Sequence, residues 1–158
     1  MRIYLLFYAA GLCTLAQIVL AILIEVPVNQ IAGVLALILG LFAALFIYWS
    51  LFILLKHGRV PRSSGIFQTT AVVNRGPYSI VRHPLYLGYI LINLTFMLSN
   101  PTWAAYLLGV TAILCYALYA RQEDARLQAQ FGADYQAYMQ RVPSLNPLLG
   151  LMRLLRAS

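Results

Sequence analysis

Charged residues are scarce in this sequence. Asp, Glu, Lys and Arg make up 9% of the 158 residues, whereas hydrophobic residues make up 62%. A soluble domain carries roughly 25% charged residues, so this composition excludes an ordinary soluble domain. We therefore expect an all-α integral membrane protein. Its length suits a single domain, residues 1–158, and is too short for two.

Acidic residues are the rarer charged type, with four Asp and Glu against eleven Lys and Arg, which gives a formal net charge of +7. In a chain this apolar, the excess of basic residues fits anchoring to anionic lipid headgroups. Aromatic residues interleave with apolar runs and not with a basic stripe, so we expect membrane lipids as partners and no nucleic acid.

Cysteine and histidine are also rare, at two each. Cys13 and Cys115 each lie in an apolar segment without metal-ligand spacing, so we interpret them as packing residues and expect no metal site. The sequence lacks a Gly-x-Gly-x-x-Gly fingerprint, a phosphate-binding glycine-rich loop and a nucleophile elbow. We therefore expect no Rossmann domain, and any cofactor must bind at helices and their ends.

Long apolar runs are what the sequence does contain. Four stretches reach or approach the roughly 20 residues of a spanning helix: 3–24, 31–55, 84–99 and 103–120. The third and fourth should form a hairpin around Asn100-Pro101. The fourth should continue as a cytoplasmic helix to Gly132, a plausible C-cap. A short helix over 133–141 and an interfacial amphipathic segment over 145–155 should follow.

These stretches divide the chain into four regions. The first two spans occupy 1–55, a basic loop 56–83, a helical hairpin 84–120, and a cytoplasmic or interfacial tail 121–158. The loop carries five basic residues and no acid: Lys56, Arg59, Arg62, Arg75 and Arg82. The positive-inside rule then puts this loop and both termini in the cytoplasm. The excess of arginine over lysine suggests a bacterial source, hence an inner membrane.

Small residues recur along one stripe of the second span, among them Gly33, Ala36 and Gly40. Such a stripe lets another helix approach closely. We expect the first span to be that neighbour, with a homodimer contact as the alternative.

The segment from Gly76 to Gly88 joins the basic loop to the third span, so its polar side chains lie where water ends and hydrocarbon begins. Arg82 offers a planar fork for a carboxylate, and His83 lies in the cap region of the helix that begins at Pro84. Glu123 reaches the same level from the fourth helix and can accept hydrogen bonds from hydroxyls or an ammonium.

With the aromatic face of Tyr86 and the missing side chain of Gly88, these groups match a ligand that carries a carboxylate, an ammonium, a ribose and a sulfonium. S-adenosylmethionine is such a ligand. Each residue also has an ordinary interpretation when taken alone. Arg82 could be a topology anchor, His83 a helix cap, Tyr86 a packing residue and Glu123 part of a solvated turn.

The joint pattern resembles a known family. The motif Gly-Pro-Tyr-x-x-Val-Arg-His-Pro-x-Tyr-x-Gly at 76–88 resembles the signature of the isoprenylcysteine carboxyl methyltransferase family, which is related to the phospholipid N-methyltransferases. A second match follows in the same order along the chain: Glu123-Asp124, Leu127, Phe131-Gly132, Tyr135, Tyr138 and Arg141-Val142-Pro143. Asp124 departs from the family pattern, in which the second acid is usually Glu.

The resemblance implies a membrane methyltransferase that uses S-adenosylmethionine, releases S-adenosylhomocysteine and has no Rossmann fold. By the same resemblance, Arg82 and Glu123 are the candidate catalytic residues. The candidate cofactor-binding residues are Tyr78, His83, Tyr86, Leu87, Gly88, Glu123, Tyr135 and Tyr138.

The expected reaction is carboxyl O-methylation of a lipophilic, isoprenylcysteine-like acceptor, with Arg82 orienting an anionic group of the acceptor or of the cofactor. Phospholipid N-methylation and small-thiol S-methylation are the nearer alternatives. An NADPH-dependent membrane reductase and a non-enzymatic membrane protein are the remaining ones.

Overall fold

A computed structural model describes residues 3–59 and 69–157. The six α-helices in these ranges are α1 Ile3–Leu23, α2 Gln30–His57, α3 Pro84–Ser99, α4 Trp103–Phe131, α5 Ala133–Arg141 and α6 Pro147–Ala157. A 3₁₀ turn spans Gly76–Ser79, and the described part of the chain contains no strand. The all-α fold expected from the sequence is confirmed. The part of the basic loop that includes Arg62 lies outside the described residues.

Three of these helices, α1, α2 and α4, are long and apolar enough to cross a membrane. The fourth apolar segment, α3, has 16 residues and is shorter. At 1.5 Å per residue it measures about 24 Å, less than the ~30 Å of a hydrocarbon core. The structure is therefore that of an all-α integral membrane protein with three candidate spans and one shorter apolar helix.

The helices after the last span begin and end near the predicted residues. Helix α4 continues without a break to Phe131, and Gly132 follows with a φ of 57°, in the region that glycine adopts most readily. Helix α6 begins at Pro147, and the side-chain oxygen of Asn146 accepts a hydrogen bond from the Leu149 backbone N–H at 3.1 Å. An Asn cap followed by Pro at the first helical position is a strong helix start.

The chain folds as two compact units. The first contains α1, α2 up to Leu45, α3 from Tyr86 and α4 up to Ala120. The second contains the rest of α2, the chain from there to Leu85, and everything from Arg121 onward.

Polar contacts between helices hold the first unit together. The Gln17 side chain, fully buried, donates to the carbonyl of Ala105 at 2.7 Å, and Asn93 donates to the Thr14 hydroxyl at 3.1 Å. Such bonds contribute roughly 0.6–2 kcal/mol each between helices in lipid.

Helix α2 packs against α3 at Gly40, where an added Cβ would lie 3.1 Å from the Thr95 methyl group. The expectation that the small residues face the first span is therefore wrong at Gly40, because the missing side chain accommodates Thr95 of α3. The homodimer contact stays a prediction.

Candidate functional site

Residues 82–83, just before α3, are held in place by residues 143–144, which lie between α5 and α6. The backbone N–H groups of Arg82 and His83 donate to the carbonyls of Pro143 and Ser144, at 2.9 and 3.2 Å. Upstream, Gly76 has a φ of 57°, which favours glycine. All of these residues belong to the second unit, and they set where the side chains of Arg82 and His83 lie.

Asp124 is the centre of the polar cluster in this unit. Its two oxygens accept hydrogen bonds from Arg82, with Nε at 3.1 Å from Oδ1 and Nη2 at 2.7 Å from Oδ2. Oδ1 also lies 2.8 Å from His83 Nε2 and accepts the Tyr135 hydroxyl at 2.7 Å. Asp124 is only 7% exposed, so these bonds form in a medium where solvent screens charge weakly.

His83 lies between two carboxylates. Its Nε2 faces Asp124, and its Nδ1 lies 3.6 Å from Glu123 Oε2. Burial would lower the pKa of His83, but its hydrogen bonds to the Asp124 and Glu123 carboxylates raise that pKa above its ordinary value. The imidazole is thus stabilised in its doubly protonated form, which has a donor at each nitrogen. Glu123 also accepts from Arg126 Nη2 at 3.2 Å.

Most of the N–H donors of Arg82 form hydrogen bonds within the protein. Besides the two bonds to Asp124, its Nη1 donates to the carbonyls of Met139 and Val142. A guanidinium has five N–H donors, so among the residues that the structure describes these four bonds leave one N–H, on Nη2. In the structure the guanidinium fork binds Asp124. The predicted contact of Arg82 with a ligand carboxylate stays a prediction.

The two tyrosines of α5 pack together and are buried, with ring centroids 5.7 Å apart. Tyr138 donates its hydroxyl to the backbone carbonyl of Tyr78 at 2.6 Å, while Tyr135 donates to Asp124. Burial raises the pKa of both phenols, and the hydrogen bond to Asp124 raises that of Tyr135 further. Both therefore remain protonated at neutral pH and act as donors.

Tyr86, Leu87 and Gly88 are buried in the first unit. Tyr86 belongs to a cluster of rings whose centroids lie between 5.3 and 6.5 Å from its neighbours. The cluster comprises Phe7, Tyr86, Tyr89, Tyr116 and Tyr119. The proposed role of these residues in cofactor binding stays a prediction.

The structure thus brings Arg82, His83 and Glu123 into one network, and it adds a residue that the sequence prediction left out. Asp124 contacts Arg82, His83 and Tyr135 together. In the sequence, the only signal for Asp124 was its place in the acidic pair at 123–124. The packing of α5 and of residues 82–83 shows that Asp124 is the acid that faces Arg82, His83 and Tyr135.

Three cavities lie in the second unit. A small one of about 60 Å³ is lined by Arg82, Tyr78 and both tyrosines of α5. Two larger ones, of about 440 and 460 Å³, border α5 at Arg141. Among the described residues, no three His, Cys, Asp or Glu side chains are arranged to hold a metal ion.

Comparison with known proteins identifies the family. The model of the phospholipid methyltransferase family matches residues 28–134, a range that contains Arg82, His83, Glu123 and Asp124. The chain belongs to the phospholipid methyltransferase family. No solved structure gives a significant match.

Curated relatives match over about half of this chain. A methanethiol S-methyltransferase of Bradyrhizobium diazoefficiens is 47% identical over 73 residues, 46% of this chain and 27% of its own length. A nickel-cobalt-cadmium resistance protein of Alcaligenes xylosoxydans xylosoxydans is 35% identical over 88 residues, 54% of this chain and 40% of its own.

A protein-S-isoprenylcysteine O-methyltransferase of Arabidopsis thaliana is 35% identical over 83 residues, 49% of this chain and 40% of its own length. The matches thus cover two fifths or less of each of these relatives. The resemblance to the isoprenylcysteine methyltransferases and their phospholipid methyltransferase kin is confirmed.

Proposed function

We propose that this protein is a membrane methyltransferase that takes its methyl group from S-adenosylmethionine and transfers it to a small thiol or to a lipophilic carboxylate acceptor. The observation that supports this most directly is the buried network of Arg82, His83, Glu123 and Asp124, which lies inside the region matched by the methyltransferase family. A network of this kind is costly to desolvate and is typical of functional sites.

The chemistry of the side chains fits the charged end of the cofactor. Glu123 supplies a carboxylate that can accept from an ammonium or a ribose hydroxyl, and Arg82 keeps one N–H for a carboxylate. The cavity beside Arg82 is about 60 Å³, whereas ligand pockets usually measure about 300–1,000 Å³. The adenosine would therefore bind outside this cavity.

When bound, the cofactor supplies an electrophilic methyl group on a sulfonium. The residues of the chain supply position and charge. Asp124 fixes the guanidinium of Arg82 and the ring of His83, so neither side chain must reorganise when a ligand arrives. The doubly protonated ring of His83 lies between two carboxylates, and it thereby holds the carboxylate of Glu123 in a fixed position. Alignment and exclusion of water can together contribute roughly 7–11 kcal/mol to a displacement.

For the acceptor, we propose a small alkyl thiol first, because the 47% identical relative is a methanethiol S-methyltransferase. A carboxylate on an isoprenylcysteine-like molecule is the second candidate, favoured by the relative from Arabidopsis thaliana. The two differ in pH dependence. A thiol reacts as its thiolate, and an alkyl thiol is mostly protonated at neutral pH, so its methylation should accelerate as the pH rises above about 7, whereas a carboxylate is ionised well below neutral pH.

We propose further that the network faces the cytoplasm of a bacterial inner membrane, with both termini on the same side. The basic residues in the last turn of α2 and in the described part of the loop before α3 support this orientation: Lys56, Arg59, Arg75 and Arg82. The cofactor would then arrive from the cytoplasm, and a lipophilic acceptor from the membrane.

The cofactor site is tested by calorimetric titration of the purified protein with S-adenosylhomocysteine. Glu123→Gln should weaken binding about 10-fold or more, since a hydrogen bond to a charged group contributes ~1.5–3 kcal/mol. Asp134→Asn is the matched control, because Asp134 is exposed on α5. Unchanged affinity in both Arg82→Ala and Glu123→Ala would refute the site.

The reaction is tested with a radiolabelled methyl donor and three acceptors: a short alkyl thiol, a prenylcysteine analogue and phosphatidylethanolamine. Methylated product from the thiol or the prenylcysteine analogue supports the proposed acceptors. Product from phosphatidylethanolamine alone would replace them with phospholipid N-methylation, and product from none would refute a methyltransferase acting on these classes.

A further inference from the structure

A cavity of about 440 Å³ lies between helices α5 and α6 and the segment that contains Asn74 and Ser79. Its lining residues with polar side chains are Asn74, Ser79, Tyr138, Gln140, Arg141 and Arg153. We call it the α5–α6 cavity. Both charged residues in the described lining are arginines, one from each helix, and no carboxylate is among them. The neighbouring cavity of about 460 Å³ shares Arg141 but is also lined by Asp134, so its charges offset each other.

The two arginines have donors to spare for a ligand. Arg153 donates from Nη1 to the Gln140 carbonyl at 3.2 Å, and Arg141 donates from Nε to the Ala137 carbonyl at 3.3 Å. Each bond fixes part of a guanidinium and uses one of its five donors. Arginine forks bind phosphate oxygens in pairs, so the cavity favours a phosphate-bearing anion.

Helix α6 contacts its unit through a buried glycine and has a broad, exposed apolar surface. Gly150 is buried, and an added Cβ would lie 1.8 Å from the backbone carbonyl oxygen of Ile80, so the helix contacts the rest of its unit through this glycine. Several large apolar side chains of α6 remain 42–75% exposed: Leu148, Leu151, Met152, Leu154 and Leu155.

An amphipathic helix with basic residues and an exposed apolar face lies in the headgroup region of a membrane. In an integral membrane protein, the exposed apolar residues of α6 have acyl chains available to cover them. Leu154 connects the two features, since it lines the α5–α6 cavity and is also 42% exposed.

We propose that the α5–α6 cavity binds the headgroup of an anionic phospholipid, with Arg141 and Arg153 on the phosphate and the acyl chains along the apolar residues of α6. The volume is within the usual range for a small-ligand site. The charge of the lining selects an anionic headgroup over a zwitterionic one, whose ammonium would meet two arginines. The cavity adjoins the Asp124 network, since Val142 lines it and accepts a hydrogen bond from Arg82. Arg141 and Arg153 are outside that network, so the proposal does not depend on methyltransferase activity.

The proposal is tested by native mass spectrometry of the full chain, with short-chain phosphatidylglycerol and phosphatidylcholine as probes. We expect one phosphatidylglycerol bound per chain in preference to phosphatidylcholine. Each basic residue near an anionic lipid surface strengthens lipid binding about 5-fold. The double substitution Arg141→Gln with Arg153→Gln should therefore weaken phosphatidylglycerol binding about 30-fold and abolish the preference.

Arg156→Gln is the matched control, because Arg156 is exposed on α6 and does not line the cavity. It should retain the preference. The thermal midpoint gives an independent readout, since a ligand that binds the folded state raises it. Phosphatidylglycerol should raise the midpoint of the wild type and of Arg156→Gln, but not that of the double variant.

Three results would overturn the proposal. The first is equal binding of the two lipids by the wild type. The second is undiminished phosphatidylglycerol binding by the double variant at a normal thermal midpoint. The third is displacement of the lipid by inorganic phosphate at comparable concentration, which would make the cavity a site for free anions.

Discussion

Replacing Asp124 with asparagine removes a charge while it preserves the shape of the side chain. In the structure the Arg82 fork donates to both oxygens of Asp124, at 3.1 and 2.7 Å, and His83 and Tyr135 share one of them. The asparagine amide would place an N–H₂ group where one oxygen now accepts from Arg82. Two donors would then face each other, and the guanidinium would lose its counter-charge.

The size of the expected loss of stability follows from the burial of Arg82 and Asp124. The side chains of Arg82 and Asp124 are 9% and 10% exposed, so water screens the loss weakly. Removing one partner of a buried ion pair costs about 3–5 kcal/mol, chiefly because the other charge is left unpaired. A chain of this size loses roughly 2–4 °C of thermal midpoint per kcal/mol. We therefore expect Asp124→Asn to lower the midpoint by roughly 10 °C.

Tryptophan fluorescence measures the thermal midpoint of the protein in detergent. Trp49 belongs to the same unit as Asp124, and Trp103 belongs to the other. Trp103 is 88% exposed, so Trp103→Phe is a tolerable background that leaves Trp49 as the single reporter. Asp134→Asn is the charge-matched control, and as an exposed substitution it should change stability by less than about 0.5 kcal/mol.

A second variant separates charge from shape. Asp124→Glu keeps the carboxylate, so it should recover part of the stability that Asp124→Asn loses. If Asp124→Asn unfolds within about 1 °C of Asp134→Asn, the network contributes little stability and the reasoning from burial is wrong.

Two further predictions follow from His83 and Gly150. Because the pKa of His83 is raised in the folded state, its stabilising contribution is complete below the ordinary value of about 6.5 and is lost as the pH rises through the folded value. The difference in thermal midpoint between wild type and His83→Gln should therefore shrink from pH 6 to pH 9, and a constant difference would contradict the assignment. Gly150→Ala places a methyl group 1.8 Å from the carbonyl oxygen of Ile80, so α6 must shift. Limited proteolysis should cut the chain before α6 faster in Gly150→Ala than in Gly33→Ala, whose added methyl meets nothing within 4 Å, and equal cleavage rates would show that α6 does not need this contact.

Much of the fold could be predicted from local signals. Helix α4 ends at Phe131, directly before the predicted C-cap Gly132, and helix α6 begins at Pro147, two residues after the predicted start of the amphipathic segment. Apolar runs fix helices because each backbone group bonds within its own segment, and this requires no knowledge of neighbours. The packing of Gly40 could not be predicted in this way, because a glycine does not encode which helix approaches it.

For the candidate site, the sequence by itself determined which chemical groups lie near the membrane boundary: a guanidinium, an imidazole and two adjacent acids. Only the tertiary structure decided how they pair. Adjacent residues on a helix point about 100° apart. The packing of α5 and of residues 82–83 therefore determines that Asp124 meets Arg82 and one nitrogen of His83, while Glu123 lies near the other nitrogen. A sequence pattern fixes composition and spacing along the chain, whereas the partner of a buried charge is fixed by elements that are distant in the chain.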